Sequence, residues 1–128
     1  MRLSAGLISV LTLALMLGAP ALSQEAPVPA GGFVPGVADL PLMVGLEADP
    51  NATLVFDKPE GRIVEAAATG AVSPEAVIAF YAATLPQLGW LREGPALYTR
   101  EGEVLRITIE PAPRPGAPLR LIFAIEPQ

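Results

Sequence analysis

The stretch Ser73–Trp90, SPEAVIAFYAATLPQLGW, decides the fold because it combines a helix start, an apolar stripe and a helix stop. Ser73 is a favoured N-cap residue, and Pro74 suits the first helical position. Glu75 places a negative charge at the positive end of the helix dipole. Gly89 can adopt the left-handed conformation that ends many helices. The stretch therefore predicts a single main helix.

The larger apolar side chains of this stretch recur at helical spacing and share one face. Pro86 lies away from that face, but it removes a backbone donor and crowds the preceding turn. We therefore expect the helix to end or kink near Thr84–Leu85. We also expect Tyr81 to keep its hydroxyl group in water. The members of the stripe are Val77, Phe80, Tyr81, Thr84, Leu85 and Leu88.

The opposite side of the helix is nearly uncharged. Glu75, Ala79, Ala82 and Ala83 lie there, although a solvent-facing helix usually carries several charged residues. One interpretation is an alanine-rich composition with no particular demand for surface charge. The other is a contact surface for a second copy, for a partner protein or for the segment Asp39–Leu46. These four residues therefore form a candidate partner-contact face.

Apolar segments on both sides of the helix predict β-strands. Before the helix, Thr53–Phe56 and Arg62–Ala68 flank a turn in which Pro and Gly occupy favoured positions. After it, several segments alternate between apolar and polar residues. The economical arrangement is an α+β fold, a single antiparallel β-sheet with one main helix packed across one face, in the order ββαββββ. The later strands are Trp90–Glu93, Ala96–Arg100, Val104–Glu110 and Leu119–Glu126.

The composition excludes most catalytic chemistry. The 128 residues include no His and no Cys, which removes thiol nucleophiles, disulfides, histidine-dependent catalysis and imidazole or thiolate metal sites. A net charge of −5, from 8 basic and 13 acidic residues, argues against nucleic acid as a partner. We therefore predict no cofactor and no bound metal ion, and we expect a protein partner or a homodimer.

Paired carboxylates are the one catalytic option that the composition leaves open. Glu101 and Glu103 flank a glycine at a predicted hairpin tip, and Asp57 and Glu60 lie in another turn. Acidic residues in turns usually serve solvation and local backbone bonding. The favoured function is therefore a non-catalytic binding or accessory module. A small carboxylate-dependent hydrolase is the alternative.

The first residues have the layout of a secretory signal peptide. Arg2 precedes the apolar run Leu7–Leu17, and small residues precede the expected cleavage point after Ser23. We therefore predict a signal peptide over residues 1–23 and a periplasmic or secreted protein. The alternative is a membrane anchor through residues 5–21, which would make the chain an envelope-anchored structural protein.

A Pro/Gly/Ala-rich segment over residues 24–38 predicts a flexible linker, followed by a single domain over residues 39–128. The domain begins with an apolar segment that contains Leu42, Met43 and Leu46. We interpret it as an extended arm that closes one end of the core, because large apolar side chains are costly to leave in water. The alternative is a mobile segment that docks on a partner.

Two aromatic motifs mark the passage from the helix to the next strand. Phe80-Tyr81 and Gly89-Trp90 are separated by seven residues, and the hairpin Arg100–Glu103 follows. We interpret the aromatic residues as core, with an aromatic ligand platform as the alternative. In this pattern the chain resembles, over Leu54–Glu126, small exported bacterial domains of unknown function. The resemblance implies an exported α+β domain and carries no catalytic residue.

Overall fold

The computed structural model describes Gly18 and residues 31–128. Its strands form one antiparallel sheet, and helix α1 (Pro74–Thr84) packs on one face of that sheet. The predicted α+β class, with a single antiparallel sheet and one main helix, is confirmed. A short additional strand precedes the predicted hairpin, so the element order is βββαββββ. The strands are β1 (Leu46–Ala48), β2 (Leu54–Lys58), β3 (Gly61–Gly70), β4 (Leu91–Gly94), β5 (Leu97–Arg100), β6 (Glu103–Glu110) and β7 (Leu119–Pro127).

The strands are not arranged in the order of the sequence. The order across the sheet is β1-β3-β7-β6-β5-β4, and β2 also pairs with β3. β3 has 10 residues, so its first half pairs with β2 and its second half with β1. A 3₁₀ turn at Pro50–Ala52 separates β1 from β2. β1 and β2 therefore share one edge of the sheet, and β4 forms the other.

The core lies between α1 and the sheet. Val77, Tyr81 and Leu85 are buried on the helical side. Along β7 every second residue from Leu119 to Ile125 is buried, because successive side chains of a strand point to opposite faces, whereas Ala66, Ala67 and Ala68 of β3 are all buried. The rings of Tyr81 and Phe123 meet edge to face, with 5.5 Å between their centroids. The buried sheet residues on this face include Val64, Ala66, Ala68, Tyr98, Leu105, Ile107, Leu119, Leu121, Phe123 and Ile125.

The helix begins and ends where the sequence predicts. The Ser73 hydroxyl accepts a hydrogen bond from the backbone N–H of Ala76 at 3.1 Å, which satisfies one of the free donors of the first turn. The α-helix ends at Thr84, and Leu85–Leu88 continues as a 3₁₀ helix with a proline in its first turn. Gly89 follows in the left-handed conformation, with φ 88°.

The prediction that Tyr81 keeps its hydroxyl in water is wrong. The residue is 1% exposed, and its hydroxyl donates a hydrogen bond to the carbonyl oxygen of Pro41 at 3.0 Å. Burial raises the pKa of Tyr81 above its usual value. The acceptor comes from a segment that is remote in sequence and covers this part of the helix.

The folded domain begins earlier than the predicted boundary at residue 39. Val34 and Val37 are buried in the same core, so the linker predicted over residues 24–38 overlaps the domain. The N–H of Val34 bonds to the carbonyl of Leu40 at 2.8 Å, and Gly36 adopts φ 82°. Gly and Pro here form tight turns. The predicted signal peptide, apart from Gly18, and linker residues 24–30 lie outside the described residues.

The apolar arm packs on its own chain. Leu42 and Leu46 are buried, and Met43 is partly buried against the same core. Leu46 opens β1 and lies opposite Gly70 of β3. These side chains pack against the core of their own domain, so they offer little surface to a partner.

Candidate functional site

The four carboxylates predicted as catalytic candidates do not converge. Glu101 is exposed at a hairpin tip with φ 48°, and Glu103 is partly buried at the start of β6. Asp57 and Glu60 are exposed in and after β2. β3 and β7 lie between these two pairs in the sheet. Over the described ranges, no group of three or more acidic residues is arranged to hold a metal ion.

A surface pocket of about 420 Å³ lies beside the end of the helix, and Arg100 is its cationic residue. The Nη1 of Arg100 donates to Asp39 Oδ2 at 2.6 Å and to the carbonyl oxygen of Leu88 at 2.9 Å. The hydrogen bond from Arg100 holds the pKa of Asp39 below its usual value, although partial burial acts in the opposite direction. Since Asp39 already neutralises this arginine, the pocket is poorly suited to an anionic ligand. It is lined by Leu88, Gly89, Leu91, Thr99, Arg100, Glu101 and Gln128.

The sheet edge formed by β2 exposes a run of large apolar side chains. Leu54, Val55 and Phe56 are 47%, 49% and 52% exposed, respectively. β2 pairs with β3 on one side, and no described strand pairs with its other side. The outward main-chain N–H and C=O groups of such a strand are a template for another strand.

Both faces of this edge are apolar. Leu54 lies opposite Glu65 and Phe56 opposite Ile63, which places both on the sheet face away from α1. Val55 lies opposite the buried Val64, on the face that carries the helix. A strand added outside β2 would therefore meet apolar side chains above and below the plane of the sheet.

The opposite edge, β4, has the features that protect a sheet edge. It has 4 residues, and its register shifts between Arg92 and Gly94. Arg92 and Glu93 are charged and exposed, and Leu91, at 67% exposure, is a single apolar side chain. Short length, irregular register and charge all hinder the pairing of a further strand. The β2 edge is therefore open to a further strand, whereas the β4 edge is protected against one.

The sheet face away from α1 is polar toward its centre. Arg106 pairs with Glu126 at 3.2 Å. Arg120 lies 3.6 Å from Asp49 and 3.5 Å from Glu110. Alternation of polar and apolar residues with cross-strand ion pairs is typical of a solvated antiparallel face. Of the six exposed large apolar side chains in the described part of the chain, three are adjacent in β2, and Phe33, Val44 and Leu91 are scattered along the sequence.

The candidate contact face of the helix is only partly open. Glu75, Ala79 and Ala83 are exposed, while Ala82 is partly buried. The carbonyl of Ala83 also accepts a hydrogen bond from Gln87 Nε2 at 3.0 Å. The structure thus brings three of the four residues to the surface, and their role as a contact stays a prediction.

No protein-family model, curated protein or solved structure matches this chain. The resemblance to small exported domains therefore stays a prediction, and function is inferred here from the surfaces themselves. Sequence reasoning identified β2 only as one strand of a hairpin. The available signal was the unbroken run Leu54–Phe56, because consecutive apolar residues put apolar groups on both faces of a strand.

Proposed function

We propose that this chain is an exported, non-catalytic binding module that contacts another protein through β2. The observation that supports it is the exposure of Leu54, Val55 and Phe56 on a sheet edge that no described strand covers. Each Å² of apolar surface removed from water contributes about 25 cal/mol. A partner that covers three adjacent large side chains therefore gains free energy that scattered apolar residues do not offer.

The mode of binding that fits this edge is strand addition. In strand addition, main-chain hydrogen bonds to an exposed edge supply affinity, and alternate side chains supply specificity. β2 offers outward main-chain groups together with apolar side chains on both faces. No helix in the described part of the chain has the length and apolar character needed to cross a membrane.

The exported location is supported by Arg2, the apolar run Leu7–Leu17 and the small residues before Gln24. Mass spectrometry of the protein from periplasm or medium should find a new N-terminus at or near Gln24. An intact Met1 in a membrane fraction would support the anchored alternative instead.

Binding through β2 is tested with Phe56→Glu and a matched control, Leu91→Glu. Both residues are large, apolar and exposed on edge strands, but they lie on opposite edges of the sheet. Immobilised wild type and variants are exposed to periplasmic extract, and the captured proteins are quantified. Phe56→Glu should lower capture at least tenfold, because a desolvated carboxylate would face apolar groups.

Leu91→Glu should capture as much protein as the wild type. The melting temperatures of all three proteins should agree closely, since exposed positions contribute little to stability. Equal capture by wild type and Phe56→Glu would show that the captured proteins do not bind through β2.

A further inference from the structure

We propose that the partner of β2 is a second copy of this chain, with the two β2 strands paired antiparallel across a two-fold axis at Val55. This inference rests on the proposed function, because it names the partner of the same surface. The two sheets would then form one continuous sheet through the dimer. The position of the axis follows from the hydrogen-bond pattern of the hairpin and from the order of side chains along β2.

The hairpin register fixes which main-chain groups of β2 point outward. Lys58 and Gly61 face each other across the turn, and a pair that closes a two-residue turn exchanges its hydrogen bonds. Hydrogen-bonded and non-hydrogen-bonded residue pairs alternate along two antiparallel strands. Counting back from Lys58, the main-chain groups of Phe56 and Leu54 therefore also bond to β3. The N–H and C=O groups of Val55 therefore point away from β3, toward an added strand.

A two-fold axis at Val55 pairs apolar residues with apolar residues. Val55 then lies opposite Val55 of the second copy, and Leu54 lies opposite Phe56 on the other face. A register shifted by two residues would instead place Val55 opposite Asp57 and Leu54 opposite Lys58. Because cross-strand pairs between apolar side chains stabilise a sheet, the register at Val55 is favoured.

Charge does not oppose self-association at this edge. The chain carries a net charge of −5, so two copies repel each other over most approaches. β2 contains one acid, Asp57, and one base, Lys58, and its charges cancel. The neutral apolar edge is therefore a place where two like-charged copies can meet.

The other edge of the sheet limits the assembly to two copies. An isologous β2 pair uses the same edge of both protomers and leaves a β4 edge at each end. β4 is short, irregular and charged, which hinders further addition. Residues 24–30, QEAPVPA, are a poor alternative occupant, because Val28 is their one large apolar side chain and they offer little to pair with Leu54 and Phe56.

A single-cysteine variant of the full chain tests the axis directly. The protein has no Cys, so Val55→Cys introduces one thiol in each copy. Residues of a hydrogen-bonded antiparallel pair have Cα atoms about 5.5 Å apart, within the range of about 4.4–6.8 Å that a disulfide spans. Oxidation should convert most of Val55→Cys to a covalent dimer, whereas Leu91→Cys on the opposite edge should form no disulfide-linked dimer.

Sedimentation of untagged protein gives an independent measurement. Wild type should sediment as a dimer, and Val55→Pro should weaken dimerisation at least tenfold, because it removes an outward N–H. Since that N–H does not bond to β3, Val55→Pro should keep the cooperative melting of the monomer. The matched variant Phe56→Pro removes a bond to β3 and should lower the melting temperature.

The outcomes separate this inference from the proposed function. Monomeric wild type without Val55→Cys crosslinking would overturn the two-copy inference. If Phe56→Glu still lowered the capture of another protein, the proposed binding through β2 would stand. If Phe56→Glu also captured as much protein as the wild type, both the two-copy inference and the proposed binding through β2 would be wrong. A dimer that survives Val55→Pro and does not crosslink through Val55→Cys would also overturn the inference, because its interface would lie elsewhere.

Discussion

Arg100 lies over the ring of Trp90, with its guanidinium carbon 4.3 Å from the ring centroid. The same guanidinium group donates hydrogen bonds to Asp39 and to the carbonyl oxygen of Leu88. One side chain therefore joins the N-terminal segment, the end of the helical region and β5. Trp90 is buried beneath it, as its position after the helix terminator predicts.

Substitution of Arg100 should remove its contacts with Trp90, Asp39 and the carbonyl group of Leu88 at the same time. Arg100→Ala should lower the free energy of unfolding by about 1–3 kcal/mol, because it removes a cation–π contact and a hydrogen bond to a backbone carbonyl. Urea denaturation followed by fluorescence measures this change, since Trp90 is the single tryptophan. Asp39→Asn should cost less, because Asp39 is half exposed. Equal urea midpoints for wild type and Arg100→Ala would contradict the structure.

The ion pair predicts a pH dependence at the acidic end. The hydrogen bond from Arg100 keeps the pKa of Asp39 below its ordinary value of 3.8 in the folded protein. Since the folded pKa is the lower one, the unfolded chain binds the proton first as the pH falls. The stabilisation is complete above pH 3.8 and is lost as the pH falls through the folded pKa. Urea midpoints measured from about pH 6 to pH 2 should therefore decline less steeply for Asp39→Asn than for wild type.

Both tyrosines of the chain, Tyr81 and Tyr98, should resist ionisation at alkaline pH. Burial raises the pKa of each phenol, and the positive charge of Arg92 opposes the shift at Tyr98. Their folded pKa values exceed those of the unfolded chain, so stability is complete below the unfolded pKa and declines as the pH rises above it. Absorbance at about 295 nm should stay flat through about pH 10 and rise together with unfolding. A rise that precedes unfolding would show an exposed phenol.

Trp90 offers a comparison of two truncations. Trp90→Ala should cost on the order of 3–5 kcal/mol, because it leaves a large cavity in the core. The buried indole Nε1 has no hydrogen-bond partner in the described part of the protein. Trp90→Phe therefore keeps most of the apolar contact and removes an unpaired donor, so it should cost clearly less. Similar losses for both variants in urea denaturation would indicate that the indole N–H is bonded.

The outer helix face is tested by Ala83→Glu, with Ala112→Glu in the exposed loop before β7 as the control. Exposed substitutions change stability little, so both variants should melt like the wild type. If the helix face contacts a partner, Ala83→Glu should lower affinity several-fold, because a charge would enter the contact. Sedimentation and periplasmic capture measure the effect. Equal mass and capture for both variants would leave β2 as the contact surface.

Local signals made the helix and the hairpins predictable. Ser73 and Gly89 specify helix ends through their own side chain or backbone freedom, and the alternation in β6 and β7 is visible over a few residues. β1 was missed because three residues are too few for a periodic signal. Its partner, the second half of β3, is distant in sequence, so the pairing depends on tertiary structure.

The errors at Tyr81, Val34 and Val37 share a cause. The acceptor of the Tyr81 hydroxyl, the carbonyl of Pro41, is separated from it by 40 residues. Val34 and Val37 stand in a Pro/Gly-rich segment whose composition is typical of a linker, yet tight turns direct both into the core. The open edge at β2 was also not predictable, because the sequence of a hairpin strand does not show whether another strand pairs with its second side.

β7 lies between β3 and β6, although it is the last element in the sequence. It pairs with β3 across a long intervening segment, as Val64 lies opposite Ile125 and Gly70 opposite Leu119. Contacts of such high sequence separation form slowly, because the chain entropy of closing a long loop is lost before the pairing stabilises the fold. On a ribosome, no strand pairs with both halves of the sheet until Leu119–Pro127 has been synthesised. A nascent chain of this topology therefore cannot complete its sheet until β7 has been synthesised.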